Sequence, residues 1–428
     1  MEILEAEFDG MTALGAATAC PLPGRGRDVL AWGVLPGERA RVAVLARERG
    51  HRVCRAEEIL RASPDRIAPR EPHYLSCSPW QTMEYRAQAQ WKRQILEELF
   101  SGIPLARFEE ADPVWGYRNK LEFCFIEEGG RLRLAFHERA SPFRKLALRE
   151  GCQLGTAAMN VAALELTEQL AQRGVGAGAV KSLVVRGSRA TGEVVLALYV
   201  MEERFPALDP ALEQSAGIAI AFSDPLSPAS VPTRMLSETG RQELTERVAG
   251  LDLAYPIDAF FQNHVPMFER AIAEIRRHVP EAERVVELYS GVGSIGLALA
   301  DRAGEIVAVE SSASAVNCAE RNRDRNGASN YHPRAARVES VAEETLSGAD
   351  VVVLDPPRTG LGSKLVGTLL RVLPARLVYL SCHPPNQARD VALLGSSYRP
   401  TALVGFDFYP QTPHIESLVV LDRRSGAA

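Results

Sequence analysis

The chain has 428 residues, of which 46% are hydrophobic and 24% charged, with a formal net charge of −5. That is the make-up of a soluble globular chain with room for two or three domains and a sizeable core. It excludes a disulfide scaffold, because the seven cysteines are odd in number and scattered, which fits a reducing cytoplasm; no stretch reads as a signal peptide or membrane span.

Residues 1–72 read as a small β domain. "LPGERARVAV" is a turn followed by a strand in which Arg alternates with apolar residues, so one face packs and the other shows Arg. Between residues 20 and 70 there are eleven Arg, no Lys and six acids, a local balance of +5. Such a patch suits phosphate, and equally suits a solvated, salt-bridged face. "SPDRIAPREP" has three prolines and no periodicity, as a linker does.

Residues 73–250 read as an α+β region. Apolar residues at helical spacing predict a helix over about 84–101 and another in "TAAMNVAALELTEQLAQRG". "KLEFCFIEE", "RLRLAFHE", "KSLVVRGS" and "EVVLALYV" predict strands. Over 251–428 the pattern changes. "RVVEL", "EIVAVE", "DVVVLD", "RLVYLSC" and "ESLVVLD" are short apolar runs, most of them separated by helical stretches. Apolar runs without polar alternation imply a sheet covered on both faces, hence an α/β open sheet.

Three stretches end such runs with chemistry. In "VVELYSGVGSIGLALA" a strand runs into Gly291, Gly293 and Gly296, and Glu310 closes the next apolar run. Glycines permit a tight turn and close approach of a ligand, and the acid suits ribose hydroxyls, so this is an adenosine-type cofactor loop; the spacing fits a dinucleotide and S-adenosylmethionine equally. In "DVVVLDPPRTGL" Asp355 ends a strand where open α/β sheets bind ligands, and Arg358 follows. In "LVYLSCHPPNQ" a strand delivers Cys382 to the same edge and two prolines stop it. A cysteine there is commonly a small buried filler, but as a thiolate it is a nucleophile. Glu416, in "FDFYPQTPHIESLVVLD", is placed to be a general base, although a lone Glu before a strand is most often solvated. His414 beside it reads as a loop histidine, and no cluster has zinc spacing.

The ordered set "DAFFQNH", "ELYSGVGSIGL", "VLDPPRTGL", "LSCHPPN" and "FYPQTPHIE", with "WGYRNKLEF" and "HERASPFRKLALREGCQL" upstream, resembles the RNA uridine-5-methyltransferases. The resemblance covers nearly the whole chain. It implies a Rossmann-like methyltransferase domain at 251–428, a cluster-less central α+β domain at 73–250, and a TRAM-like (OB-like) RNA-binding β-barrel at 1–72. It implies S-adenosylmethionine as cofactor and 5-methyluridine as product, with Cys382 as nucleophile and Glu416 as base. Gln262, Tyr289, Glu310 and Asp355 would line the cofactor site, with Gly291, Gly293 and Ser294 in the loop. Phe260, Arg358 and Gln411 would face the target base.

Two departures stand out. The family's Ser-Cys-Asn-Pro is Ser381-Cys382-His383-Pro384 here. Many members hold an iron–sulfur cluster on Cys-x5-Cys-x2-Cys plus a later cysteine; the matching positions here are Glu71, Cys77, Trp80 and Cys152. Two thiols cannot make a four-thiolate cluster, so neither a cluster nor any other metal is expected. The expected substrate is RNA, ribosomal ahead of transfer RNA, acted on by a cytoplasmic monomer with no membrane partner. The alternatives are a transfer-RNA enzyme, a nicotinamide-dependent oxidoreductase using the same glycine loop, and an RNA-binding or RNA-folding protein of the same fold whose methylation has lapsed.

Overall fold

The structure is a computed structural model that describes residues 2–19, 29–139, 141–206, 208, 215–227 and 230–426. Its N-terminal sheet contains β1 (Ile3–Phe8), β2 (Gly10–Met11), β3 (Ala17–Ala19), β4 (Val29–Trp32), β5 (Glu38–Glu48) and β6 (His51–Arg61), in the order β1-β5-β6-β4-β3-β2. The long β5–β6 ladder shifts register three times. Each shift inserts a bulge that sharpens the twist, and the sheet curls into a half-barrel around Phe8, Val29 and Val42. Arg25 and Arg27 lie outside the described residues. Most of the other arginines in the basic window are spent within the barrel. Arg39 pairs with Glu5, Arg41 with Glu58, Arg47 with Glu2, Arg61 with Glu7 and Arg66 with Glu38. Several partners sit on or beside β1, upstream of the window. Counting from residue 1 reduces the balance at residue 70 to +1. The salt-bridged face therefore describes these arginines better than an open phosphate patch.

A short helical turn, α1 (Tyr74–Cys77), then α2 (Tyr85–Leu99) and β7 (Arg107–Glu109) follow the barrel. The central sheet holds β8 (Lys120–Glu128), β9 (Arg131–Glu138), β10 (Ser141–Leu148), β11 (Val180–Gly187), β12 (Val194–Val200), β13 (Gly217–Phe222) and β14 (Arg234–Gly240), in the order β10-β9-β8-β11-β12-β13-β14. Helix α3 (Ala157–Gln172), capped by the Thr156 hydroxyl, covers one face with Met159, Ala162, Leu166 and Leu170. A hairpin of β15 (Glu243–Val248) and β16 (Leu251–Pro256) straddles residue 250 and leads into α4 (Val265–His278).

The C-terminal sheet contains β17 (Ala282–Leu288), β18 (Ala303–Glu310), β19 (Tyr331–Ala335), β20 (Val351–Leu354), β21 (Arg376–Ser381), β22 (Tyr398–Phe406) and β23 (Glu416–Arg423). The order is β19-β18-β17-β20-β21-β23-β22-β7, so its last strand comes from far upstream. Strands β17 to β21 are parallel, and β23 runs antiparallel between β21 and β22. The connections carry α5 (Ser294–Leu297), α6 (Ala313–Arg325), α7 (Val338–Leu346), α8 (Gly362–Val372) and α9 (Pro384–Leu394). Both faces are covered: Val351 and Val353 enter one core, Val352 and Leu354 the other. That is why these strands read as unbroken apolar runs. Helix α2 also packs on this sheet, through Ala89, Ile95 and Leu96.

Candidate active site

The site forms where the parallel strands end. Leu288 is in register with Val309 and with Leu354, and Leu354 with Tyr379. Tyr289, Glu310 and Asp355 therefore leave the sheet at one level. Ser381 is opposite Ser417 in the antiparallel β21–β23 ladder. The ladder ends there, and Cys382 and Glu416, 34 residues apart in sequence, are the next residues outward on the two chains, near enough for Glu416 to act on the thiol.

The glycine loop turns out of β17 through Tyr289, whose φ is +65°, Gly291 at +55° and Gly293 at +90°. A left-handed tyrosine is strained, as residues at binding loops commonly are. The Gly291 amide donates to the Glu310 carboxylate at 3.1 Å, which also accepts from the Ser312 amide at 2.8 Å. A side chain at Gly296 would collide with the Glu287 carboxyl and the Tyr331 ring. Glu287 lies beneath the loop, buried, with its pKa pushed up to about 8 by burial despite the Gly296 amide and the Tyr331 hydroxyl. Sequence reading passed over Glu287; its only signal is an acid inside an apolar strand run.

A cleft opens beside this loop. It gathers Phe260, Gln262, Tyr289, Gly291, Ser294 and Asp355. Gln262 donates to Asp355 Oδ2 at 3.2 Å, while its own Oε1 is buried without a hydrogen-bond partner. Ser290 Oγ is likewise buried and unpartnered. Phe260 is 63% exposed at the cleft. Glu339, in the first turn of α7, acts electrostatically on Tyr289.

The Cys382 end is crowded with acids. Glu416 is fully buried and both its carboxyl oxygens lack hydrogen-bond partners. Burial, then the neighbouring Asp355, pushes its pKa well above the usual carboxyl range. Asp355 is raised to about 7 by burial, against the Gln262 hydrogen bond. The Cys382 thiol is raised to about 12 by burial, then by Glu416 and Asp355, while Arg358 pulls it down. Arg358 is exposed and near enough to influence His383 and His414 as well.

His383 takes over a defined task. Its Nδ1 accepts from the Asn386 amide at 3.3 Å and caps α9, as an Asn side chain would at that position.

Gln411 is buried, with φ +68°, and is held by Gln88, which donates to its Oε1 at 2.8 Å and accepts from its amide at 2.9 Å. Lys92, fully buried, pairs with Asp407 at 2.6 Å and donates to the Tyr409 carbonyl at 3.0 Å. Gln88 and Lys92 went unread in sequence; the clue is two polar residues four apart within the apolar stripe of α2. Trp80 is buried, donates from its indole to the Gly15 carbonyl at 3.0 Å and from its amide to Gln411 O at 3.1 Å. It ties the barrel to the loop before Glu416.

A family model described as tRNA (uracil-5-)-methyltransferase matches residues 243–424. An uncharacterized RNA methyltransferase of Parasynechococcus marenigrum is 30% identical over 435 residues, covering 94% of this chain and 92% of its own. Another, from Halalkalibacterium halodurans, is 28% identical over 421 residues, covering 91% and 90%. Among solved structures, a tRNA (uracil-54, C5)-methyltransferase of Pyrococcus abyssi in complex with S-adenosyl-L-homocysteine has the same fold. Its TM-score is 0.80 at 24% identity, over 98% of this chain and 100% of that one. With 30% identity sustained over 94% of its length, and the uracil-5 model matching the strands that carry Cys382 and Glu416, this chain belongs to the RNA (uracil-5-)methyltransferase family.

Proposed function

We propose that the chain methylates carbon 5 of uridine in 23S ribosomal RNA, using S-adenosylmethionine, with Cys382 as nucleophile and Glu416 as general base. The observation that supports this reading is that Cys382 and Glu416 lie directly beyond the last residues paired between the neighbouring strands β21 and β23, where Glu416 and Asp355 both act on the thiol. An oxidoreductase built on the glycine loop has no use for that pair.

The residues fit the cofactor. Gln262 Oε1 and Ser290 Oγ are buried donors or acceptors in want of a partner, and the space before Gly291 is open. Glu310 suits the ribose hydroxyls, with Tyr289 beside it. When bound, S-adenosylmethionine supplies a sulfonium methyl group and its positive charge.

The Cys382 thiolate adds to carbon 6 of the uracil ring, and the ring becomes an enolate nucleophilic at carbon 5. After carbon 5 has taken the methyl group, Glu416 removes the carbon-5 proton, and the Cys382–carbon 6 bond breaks to return the thiolate. Burial and Asp355 favour the protonated form of Glu416, so it serves as base once positive charge entering beside Asp355 has favoured its carboxylate; in that form its high pKa makes it a strong proton acceptor. The thiol, raised by its acidic neighbours, ionises more readily once positive charge enters beside Asp355. Phe260, exposed at the cleft, and Arg358, exposed near Cys382, suit stacking and edge contacts to an extruded base, with Gln411 as a further candidate. The same reading has a monomer in the reducing cytoplasm, where Cys382 stays a thiol.

Transfer RNA is the second reading. By its family resemblance the layout of barrel, central domain and methyltransferase domain favours ribosomal RNA, but the same fold runs end to end in the Pyrococcus abyssi protein, which is named for a transfer-RNA position. The deciding experiment mixes labelled S-adenosylmethionine with unmodified ribosomal RNA and, separately, transfer RNA, followed by nucleoside mass spectrometry. 5-Methyluridine in ribosomal RNA only, and none with Cys382→Ala, is expected. Product in transfer RNA only moves the substrate class. No product in either overturns the catalytic reading in favour of an RNA-binding protein.

A further inference from the structure

We propose that Glu71, His73, Cys77 and Cys152 form a mononuclear structural site for a divalent metal of zinc type, in place of an iron–sulfur cluster. The residues do not fit a cluster: a four-iron cube takes four thiolates, and two of the four matching positions are Glu71 and Trp80. A different donor set has assembled at the same place. One ligand atom from each of Glu71, His73, Cys77 and Cys152 lies within 4.8 Å of all the others. His73 is the newcomer. It lies outside the matched cysteine spacing, which is why sequence reading expected no metal.

Two thiols, an imidazole and a carboxylate are ligands of the kinds zinc takes. With bond lengths of about 2.0–2.3 Å, the edges of a zinc tetrahedron are roughly 3.3–3.8 Å, so the donors need close by only about 1 Å. His73 is 5% exposed, and its Nε2 lies 3.2 Å from a Glu71 carboxylate oxygen. Its ring nitrogen is therefore packed among two thiols and a carboxylate, the donor set a zinc-type ion takes. Cys152 is 1% exposed and Glu71 5%, so the site is closed, with four protein donors and no open position. That is the form of a structural site, not a catalytic one.

The surroundings already orient the ligands. Glu71 accepts from the Gln153 amide at 2.7 Å on one oxygen and from Gln81 at 2.8 Å on the other. These outer contacts leave lone pairs free on both oxygens. Binding needs both thiols as thiolates and His73 as the neutral imidazole, so it releases protons, and it gives a site of net charge −1. The Arg118 guanidinium, electrostatically coupled to both thiols, balances that charge. The metal would join the linker after the barrel to the turn before α3, three residues upstream of Trp80.

The test uses the full chain, purified anaerobically under reducing conditions, with elemental analysis for zinc and iron. A second arm adds Co2+ to chelator-treated protein and reads the visible spectrum. About one zinc per chain is expected, together with the d–d and thiolate charge-transfer bands of tetrahedral cobalt. His73→Ala and Cys152→Ser should each lose the metal and the bands. The cobalt spectrum of the unmutated chain stands even where a variant fails to fold. Absence of both zinc and a cobalt spectrum in folded, reduced protein overturns the proposal. So does iron with sulfide at about four per chain, or a Cys77–Cys152 disulfide in the anaerobic protein. None of these readouts depends on methyl transfer.

Discussion

At the scale of residues, the site is a cluster of acids held short of full ionisation. Glu416→Gln keeps the shape and removes the carboxylate proposed as the base. The expected result is an RNA–protein adduct through Cys382 that survives denaturing electrophoresis, with turnover lowered about 10²–10⁴-fold. Turnover equal to the parent, with no adduct, would remove Glu416 from the reaction. Asp355 makes a second prediction, in stability. Its folded-state pKa is raised by burial, so the native state keeps a proton that the unfolded chain has shed above about pH 4. Stability is therefore lost as pH rises from about 4 through about 7. Asp355→Asn should melt above the parent at pH 8, by on the order of 2 kcal/mol, and match it near pH 4. An equal gap at both pH values would contradict the protonation argument. His383→Ala should cost about 1 kcal/mol through the lost cap of α9, and His383→Asn should restore it in denaturant titrations.

At the scale of elements, α2 belongs with the C-terminal sheet although it lies far upstream of it. Its Lys92 spans 315 residues of sequence to reach Asp407. Both side chains are fully buried, so removing one strands the other. Lys92→Ala should cost about 3–5 kcal/mol in urea unfolding, whereas the paired change Lys92→Met with Asp407→Leu should recover most of it. A single-variant loss below about 1 kcal/mol would mean that water reaches the pair. The same contact fixes the loop from Asp407 to Gln411, which precedes Glu416. Disturbance of α2 is therefore expected to reach Glu416 through that loop.

For the whole molecule, the three large sheets are tied together by residues far apart in sequence. Trp80 reaches from the barrel carbonyl of Gly15 to the loop carbonyl of Gln411, and Arg139 stacks over Trp32 of the barrel at 4.2 Å while donating to the Leu75 carbonyl at 2.6 Å. Cofactor binding should register in the melting of the whole chain. S-adenosylmethionine at a hundredfold its dissociation constant is expected to add about 2.7 kcal/mol, and NAD at the same concentration none, in a thermal-shift titration. Stabilisation by NAD alone would return the glycine loop to the oxidoreductase reading.

The strands of the C-terminal sheet, the cofactor-type loop and the positions of Asp355, Cys382 and Glu416 at strand ends were legible from local pattern. Short apolar runs, glycines and prolines declare themselves within a few residues. What only the tertiary structure decided is pairing. The pairing of β21 with β23 brings Cys382 near Glu416, burial deprives the acids of water and raises their pKa values, and several of the barrel's arginines meet acids on or beside β1 that a local charge count left out. Gln88, Lys92, Glu287 and His73 were hidden for the same reason. Their roles depend on partners distant in sequence or on burial, and neither leaves a mark in the neighbouring residues.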